Sequence, residues 1–255
     1  MITMVLLLAA ATVETNDVDA FFEEFAAHRD AIKVVRARVQ RENVTPDGVF
    51  EAGGTLLYTA PRRIVFRYDD PMVTDLLIDQ LRLYRYDKDL EQLLIDELDD
   101  DPATEALYLG FDSDLKRLRE TFEVNLFIPE AREGAVRGVL LQPKEPDNDE
   151  ETPPAAVFEE VYLYLREDDY LPTRVIVVND THARVEMRFS NYEVNCPVEP
   201  AETQFFLPEG TVIVENQESF HQVPEGGLML PRDPIIPEWP EDKDLVEDTE
   251  ENTAP

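Results

Sequence analysis

Between Val35 and Val214 the chain is written in short runs where apolar and polar residues alternate, and that period of two limits its fold more than any other feature. Val35, Ala37 and Val39 alternate with Arg36, Arg38 and Gln40, and Ile64, Phe66 and Tyr68 alternate with Arg63, Val65 and Arg67. Such alternation sends successive side chains to opposite faces of a strand. Further runs cover Gly54 to Thr59, Thr74 to Ile78, Leu81 to Tyr86, Leu90 to Ile95, Glu123 to Ile128 and Val136 to Gln142. Later ones cover Val157 to Arg166, Thr173 to Val178, Ala183 to Tyr192, Gln204 to Leu207 and Thr211 to Val214. Turn residues separate them, as at Pro46-Asp47-Gly48, Asp69-Asp70-Pro71 and Pro208-Glu209-Gly210. Meandering antiparallel strands with short connections are the simplest expectation.

Two stretches break the period. Val18, Phe21, Phe22, Phe25 and Ile32 recur at helical spacing behind the candidate caps Asn16 and Asp17. Asp99-Asp100-Asp101-Pro102 reads as a helix start, with acids at the positive end of the dipole, and a mixed helical stretch follows over Ala103 to Leu109 and Asp112 to Thr121. Pro143 to Pro154, acidic and proline-containing, reads as a solvated loop. The sum is an α+β chain, a large curved antiparallel sheet or incomplete barrel with helices against one opening.

With 23 Lys+Arg against 56 Asp+Glu, a formal charge of −33, the chain is a poor candidate for nucleic acid or for an anionic membrane surface. Its 43% hydrophobic content still supports a packed core. The single cysteine, Cys196, allows no internal disulfide. Met1 to Ala11 is an uncharged apolar run, too short to span a bilayer and suited to a secretory signal ending at Ala9-Ala10-Ala11, so residues 1–15 read as a signal-like segment. Residues 218–255 turn to Pro, Glu and Asp and read as a tail, largely disordered from Pro231.

Catalytic patterns are missing from the sequence. His28, His182 and His221 are scattered, no nucleophile-elbow, dinucleotide or phosphate-loop fingerprint occurs, and Asp147 to Glu151 lacks the glycine and the distal acid of a calcium loop. No metal, cofactor or enzymatic activity is expected. The apolar strand faces are the remaining signal: Leu56 with Tyr58, Ile64 with Phe66 and Tyr68, and Tyr84 with Tyr86. They form either an ordinary core beneath the helices or the wall of an apolar cavity sized for an acyl chain.

The order and spacing of these elements resemble the periplasmic outer-membrane lipoprotein carriers, the LolA-like family. The resemblance is carried by Gly54 to Pro71 (GTLLYTAPRRIVFRYDDP), Ile78 to Leu93, Leu171 to Asp180, Phe189 to Asn195 and Phe205 to Asn216, and it covers nearly all of Asp17 to Asn216. It implies an unclosed antiparallel barrel over residues 16–217, with an N-terminal helix and a helical lid. It also implies a monomeric, exported carrier that shuttles acylated lipoproteins from an inner-membrane lipoprotein-releasing transporter to an outer-membrane acceptor. By position, Leu56, Tyr58, Ile64, Phe66, Tyr68, Tyr84 and Tyr86 would line the cavity, and Leu107, Leu109 and Phe111 would sit in the lid. The family's lid-latching arginine precedes the proline that is here Pro61; this sequence has Ala60, with Arg62 and Arg63 just beyond. Related readings on the same fold are a carrier of another amphiphile, such as a glycolipid, and an envelope-stress module binding a membrane partner.

Overall fold

The computed structural model describes residues 15–71, 73–79, 82–98, 108, 110–111, 119–120, 122–129, 137–144, 158–179, 183–216 and 219–231. Helix α1 (Thr15–Asp30) leads, with Asn16 and Asp17 inside its first turn. The strands follow in two series. The first is β1 (Val34–Thr45), β2 (Gly48–Thr59), β3 (Arg63–Asp70), β4 (Thr74–Ile78), β5 (Arg82–Asp87) and β6 (Gln92–Glu97). The second is β7 (Phe122–Phe127), β8 (Arg137–Pro143), β9 (Glu160–Leu165), β10 (Pro172–Val178) and β11 (Arg184–Val194). After a 3-10 turn at Pro200–Thr203 come β12 (Phe205–Leu207), β13 (Val212–Glu215), β14 (Ser219–Gln222) and β15 (Leu228–Leu230).

Thirteen strands make one open sheet in the order β14-β13-β6-β5-β4-β3-β2-β1-β11-β10-β9-β8-β7, and β12 pairs with β15 beside it. The two series join where β1 pairs with β11, Val39 opposite Phe189. Sequential neighbours are antiparallel hairpins, as the short turns predict, but β13 lies parallel to β6, with Ile213 opposite Leu93. A parallel neighbour needs a long crossover, and here it is the whole stretch from β7 to β12, which no local pattern announces.

The period of two divides the buried residues into two clusters. On the concave face, Val35, Ala37, Val39, Leu56, Tyr58, Ile64, Phe66 and Ile78 join Leu126, Val139, Val161, Leu163, Val175 and Phe189 under α1. On the convex face, Leu57, Val65, Leu77, Tyr84, Tyr86, Leu93, Ile95 and Ile213 meet Phe205, Leu207, Leu228 and Leu230 of the small β12-β15 sheet.

Two expectations change. Strand pairing continues past Asn216 through β14 and β15, so the reading of everything from 218 as tail is corrected over 219–230; Ser219–Gln222 pairs with β13 and Leu228–Leu230 with β12. The alternation of apolar residues there is too short to register in a Pro- and Glu-rich context. The β1-β2 hairpin is also longer than expected, with β2 starting at Gly48. The helical lid expected over 99–121 falls outside the described residues, apart from Tyr108, Gly110, Phe111, Arg119 and Glu120. Residues 1–14 and 232–255 also lie outside them.

Gly54 is required where β2 meets β3 at a register shift: a Cβ there would sit 2.2 Å from the Arg67 carbonyl oxygen, whereas one at Gly53 would meet only Asp69 Oδ1 at 3.9 Å. Gly54→Ala is therefore expected to cost about 3 kcal/mol, lowering Tm by roughly 6–12 °C. Gly53→Ala should stay within about 1 kcal/mol of wild type. Thermal melts of the two variants check this, and equal melts would remove the backbone clash as the cause.

Candidate functional site

Odd-numbered residues of β1 and even-numbered residues of β2 and β3 face the concave side because the register pairs Val39 with Gly54, Ala37 with Leu56 and Val35 with Tyr58. Across the next ladder Leu56 faces Phe66 and Tyr58 faces Ile64. Five of the seven residues expected on the wall, Leu56, Tyr58, Ile64, Phe66 and Tyr68, therefore meet on one continuous apolar surface, each 0–7% exposed. The Phe66 and Tyr68 rings stack with centroids 5.9 Å apart.

Tyr84 and Tyr86 are not among them. Leu77 pairs with Tyr84 and Ile78 with Leu83, so β5 turns its tyrosines to the convex face and Leu83 to the concave one. Tyr86 packs against Phe205, with centroids 6.4 Å apart. Their placement on the same wall is corrected by this register, a step of one residue that exchanges the faces.

The concave surface is covered by separate pieces. From α1, Phe21, Phe22 and Phe25 press down, with Phe21 edge-on to Tyr170 at 5.6 Å. From the middle segment Phe111, one of the three expected lid residues, is 5% exposed and lies between Tyr58 (6.0 Å) and Phe189 (5.6 Å). Leu107 and Leu109 lie outside the described residues. Tyr108 donates its hydroxyl to the Asp79 carbonyl, and its ring carries the Arg62 guanidinium 4.1 Å from the centroid. Arg62 was noted from sequence only as a neighbour of the missing latch arginine, and Tyr108 was not singled out. Nothing in a strand or turn pattern pairs residue 62 with residue 108.

Toward the hairpin end the concave surface becomes polar. Arg41 and Asn43 continue the line of Val39, Arg41 Nε donates to Asn43 Oδ1 at 2.9 Å, and the Arg41 guanidinium lies 5.9 Å from the Tyr68 ring. Burial pushes the Tyr68 hydroxyl pKa up, against the opposing pull of Arg41. Phe50, opposite Asn43, is 58% exposed, so an aromatic residue stands at this mouth.

The convex face holds charge instead. Glu186, 4% exposed, accepts two bonds of 2.9 Å from Arg174 Nε and Nη2, and Arg184 and Arg188 also contact it. A cleft of about 310 Å3 opens beside it over Gly53, between Gln40, Glu51, Pro71 and Arg188. Among the described residues no group of His, Cys, Asp and Glu is arranged to hold a metal, and no helix is long and apolar enough to cross a membrane.

The sequence profile described as "Outer membrane lipoprotein carrier protein LolA" matches residues 39–205, which span both halves of the concave wall. The chain belongs to the LolA family. It is 27% identical over 198 residues to the outer-membrane lipoprotein carrier protein of Alkalilimnicola ehrlichii, covering 75% of this chain and 82% of that one. The counterpart from Azotobacter vinelandii is 25% identical over 189 residues, covering 73% and 84%. Among solved structures, a LolA superfamily protein from Nitrosomonas europaea aligns with a TM-score of 0.38 at 9% identity, over 71% of this chain and 96% of that one.

Burial works against the charged form of Glu186, but Arg174, Arg188 and Arg184 outweigh it and hold its pKa below the usual carboxylate range. Because the folded pKa is depressed, this stabilisation is present above the unfolded value, about 4.3, and is lost as pH falls through the folded one. Glu186→Gln leaves three arginines around a neutral group and is expected to cost about 3 kcal/mol at pH 7. Its stability should also decline less between pH 5 and pH 3 than that of wild type. Urea melts across that range test it; parallel declines would show that Glu186 contributes nothing to acid sensitivity.

Proposed function

We propose that this LolA-family chain is a non-enzymatic carrier that takes lipoprotein acyl chains into its concave interior and moves them across the periplasm, from an inner-membrane releasing transporter to an outer-membrane acceptor. The observation that supports it best is the continuous apolar surface of Leu56, Tyr58, Ile64, Phe66 and Tyr68. Among the described residues it is covered by α1 and by Tyr108 and Phe111, not by a second sheet. A cover made of one helix and a few aromatic residues can be displaced without breaking any strand ladder.

The energetics suit reversible loading. Each methylene transferred from water contributes about 0.8 kcal/mol, while lifting Phe111 off Tyr58 and Phe189 uncovers aromatic surface of comparable worth. Ligand burial is then offset by loss of the cover, and the net affinity stays low enough for hand-off. The exposed Phe50 at the hairpin mouth gives an entering chain its first apolar contact. On this reading residues 1–15 direct export, residues 16–230 hold the cargo, and the acidic segment from Pro231 keeps the loaded carrier off anionic bilayers. The chain works as a monomer, without cofactor.

The family's latching arginine is absent at Ala60, and Arg62 over the Tyr108 ring takes its place by a cation–π contact. A partly buried contact of this kind is worth about 1–2 kcal/mol, so Arg62→Ala, which weakens the closed empty state that competes with ligand, should slow release of a bound lipopeptide by about tenfold. Stopped-flow displacement measures that rate, and an unchanged rate removes Arg62 from the latch.

The carrier reading itself is tested by mass spectrometry of protein purified from its native envelope and of protein incubated with a diacylated lipopeptide. Bound acyl chains are expected in both; their absence from both overturns it. Phe66→Ala should weaken lipopeptide binding several-fold while Tyr86→Phe, on the convex face, leaves it unchanged.

A further inference from the structure

Among the described residues, Asp75, Glu186 and Arg29 are the ionisable acids and bases that are fully buried, at 2%, 4% and 2% exposure. The two acids are matched. Asp75 meets Lys88 at 2.8 Å and Arg67 at 3.3 Å, and Glu186 meets Arg174, Arg184 and Arg188. Arg29 is not. Its Nη2 donates to the Tyr170 carbonyl and its Nη1 to the Asp169 carbonyl at 3.3 Å, its guanidinium carbon lies 4.7 Å from the Phe25 ring centroid, and its buried Nε has no partner among the described residues. No carboxylate among those residues forms an ion pair with it. The Asp169 carboxylate is engaged by Arg166 at 3.0 Å, and Glu24 accepts the Tyr170 hydroxyl at 2.8 Å.

A guanidinium presents five N–H donors, and two carbonyl contacts leave several unused. Burying such a cation with no carboxylate in direct contact is costly, and the nearby Asp169, itself paired with Arg166, offsets the desolvation only in part. Desolvation lowers the Arg29 pKa to about 10, so the group stays charged at neutral pH. Its position is also specific. Phe21, Phe25 and Arg29 follow at four-residue intervals along α1, so the cation continues the aromatic stripe that covers the concave wall.

We infer that Arg29 is the anion-binding group of the concave interior, and that its ligand is an amphiphile bearing a carboxylate or phosphate group. The anion would occupy the unused N–H donors while the chain lies along Phe21, Phe25 and Tyr58. This rests on the reading that the interior takes acyl chains, and it adds the head-group chemistry. Arg suits the task because its planar fork matches both anions.

The test uses the full-length protein and three ligands of equal chain length: dodecanoate, dodecyl phosphate and methyl dodecanoate, each competing with a neutral naphthylamine fluorophore. A net charge of −33 repels anions, so without a local cation the ester binds at least as well as either. The expected result is that at least one anion binds about tenfold more tightly than the ester, and which one identifies the head group. Arg29→Gln should abolish that preference while leaving the ester within about twofold. A wild-type protein that prefers the ester, or a folded R29Q that keeps the preference, overturns the assignment.

Should R29Q fail to fold, the Nε–H resonance of Arg29 in nitrogen-15-labelled wild type decides: it should shift with the preferred anion and not with the ester, and no shift at saturation overturns the proposal. If none of the three ligands binds while a diacylated lipopeptide does, the anion site falls alone; if the lipopeptide also fails to bind, the carrier reading falls with it. Ester binding without anion preference removes the anion site alone.

Discussion

The pleat of the thirteen-stranded sheet is the constraint on which the rest of the structure depends. Each strand gives alternate residues to opposite faces, and because the hairpins hold their register, those residues line up into two continuous surfaces. The concave one is aliphatic and aromatic from β3 round to β7, and the convex one divides into an apolar patch beneath β12-β15 and a charged field centred on Glu186. Losing one residue of register anywhere would exchange the contents of these surfaces for every strand beyond that point. The close approach of β2 and β3 at Gly54 holds that register where the wall is built.

Separation of charge follows from the same geometry. Arg36, Arg38, Arg67, Arg174, Arg184 and Arg188 all occupy convex positions, where they pair with acids such as Glu202, Asp69, Asp75 and Glu186. The strands can thus carry basic residues in an acidic chain without placing any on the wall beneath α1. Gly138 plays a related part at the far edge: the Phe127 ring crosses it, where a Cβ would come within 2.3 Å, and meets Tyr164 edge-on at 5.5 Å. Arg29 stands apart from this order. It is a cation on the concave side, reached from the helix and not from a strand.

Much of the fold was legible from residues alone. The strand boundaries from β3 to β6 and from β7 to β13 fall within about three residues of those read from alternation. Alternation gave the shared face of Leu56 with Tyr58 and of Ile64, Phe66 and Tyr68, and the pairing of β2 with β3 joins the two groups on one surface. Phe111, expected in the lid from the family resemblance, lies against Tyr58 and Phe189, partners no local pattern gives. Arg29 was missed although its signal was present: the helical spacing that picked out Phe21 and Phe25 continues to residue 29, but a charged residue there reads as the end of an apolar stripe. The contact of Arg62 with Tyr108 had no signal, because 46 positions and several strands separate the two.

Alone, the sequence determined the period of each segment, and so which residues of a strand share a face, because alternation is a local property of the chain. It also determined the excess of acid and the family pattern, both of which are read without coordinates. It did not determine which of the two faces turns inward. Tyr84 and Tyr86 are as regularly spaced as Ile64 and Phe66, yet they point to the convex face, since Ile78 pairs with Leu83 and not with Tyr84. That choice, the parallel seating of β13 on β6, and the burial of Arg29 against Tyr170 belong to the tertiary structure. Each depends on contacts between segments far apart in the chain, and the two faces of an alternating strand become different only when curvature and pairing decide what lies opposite them.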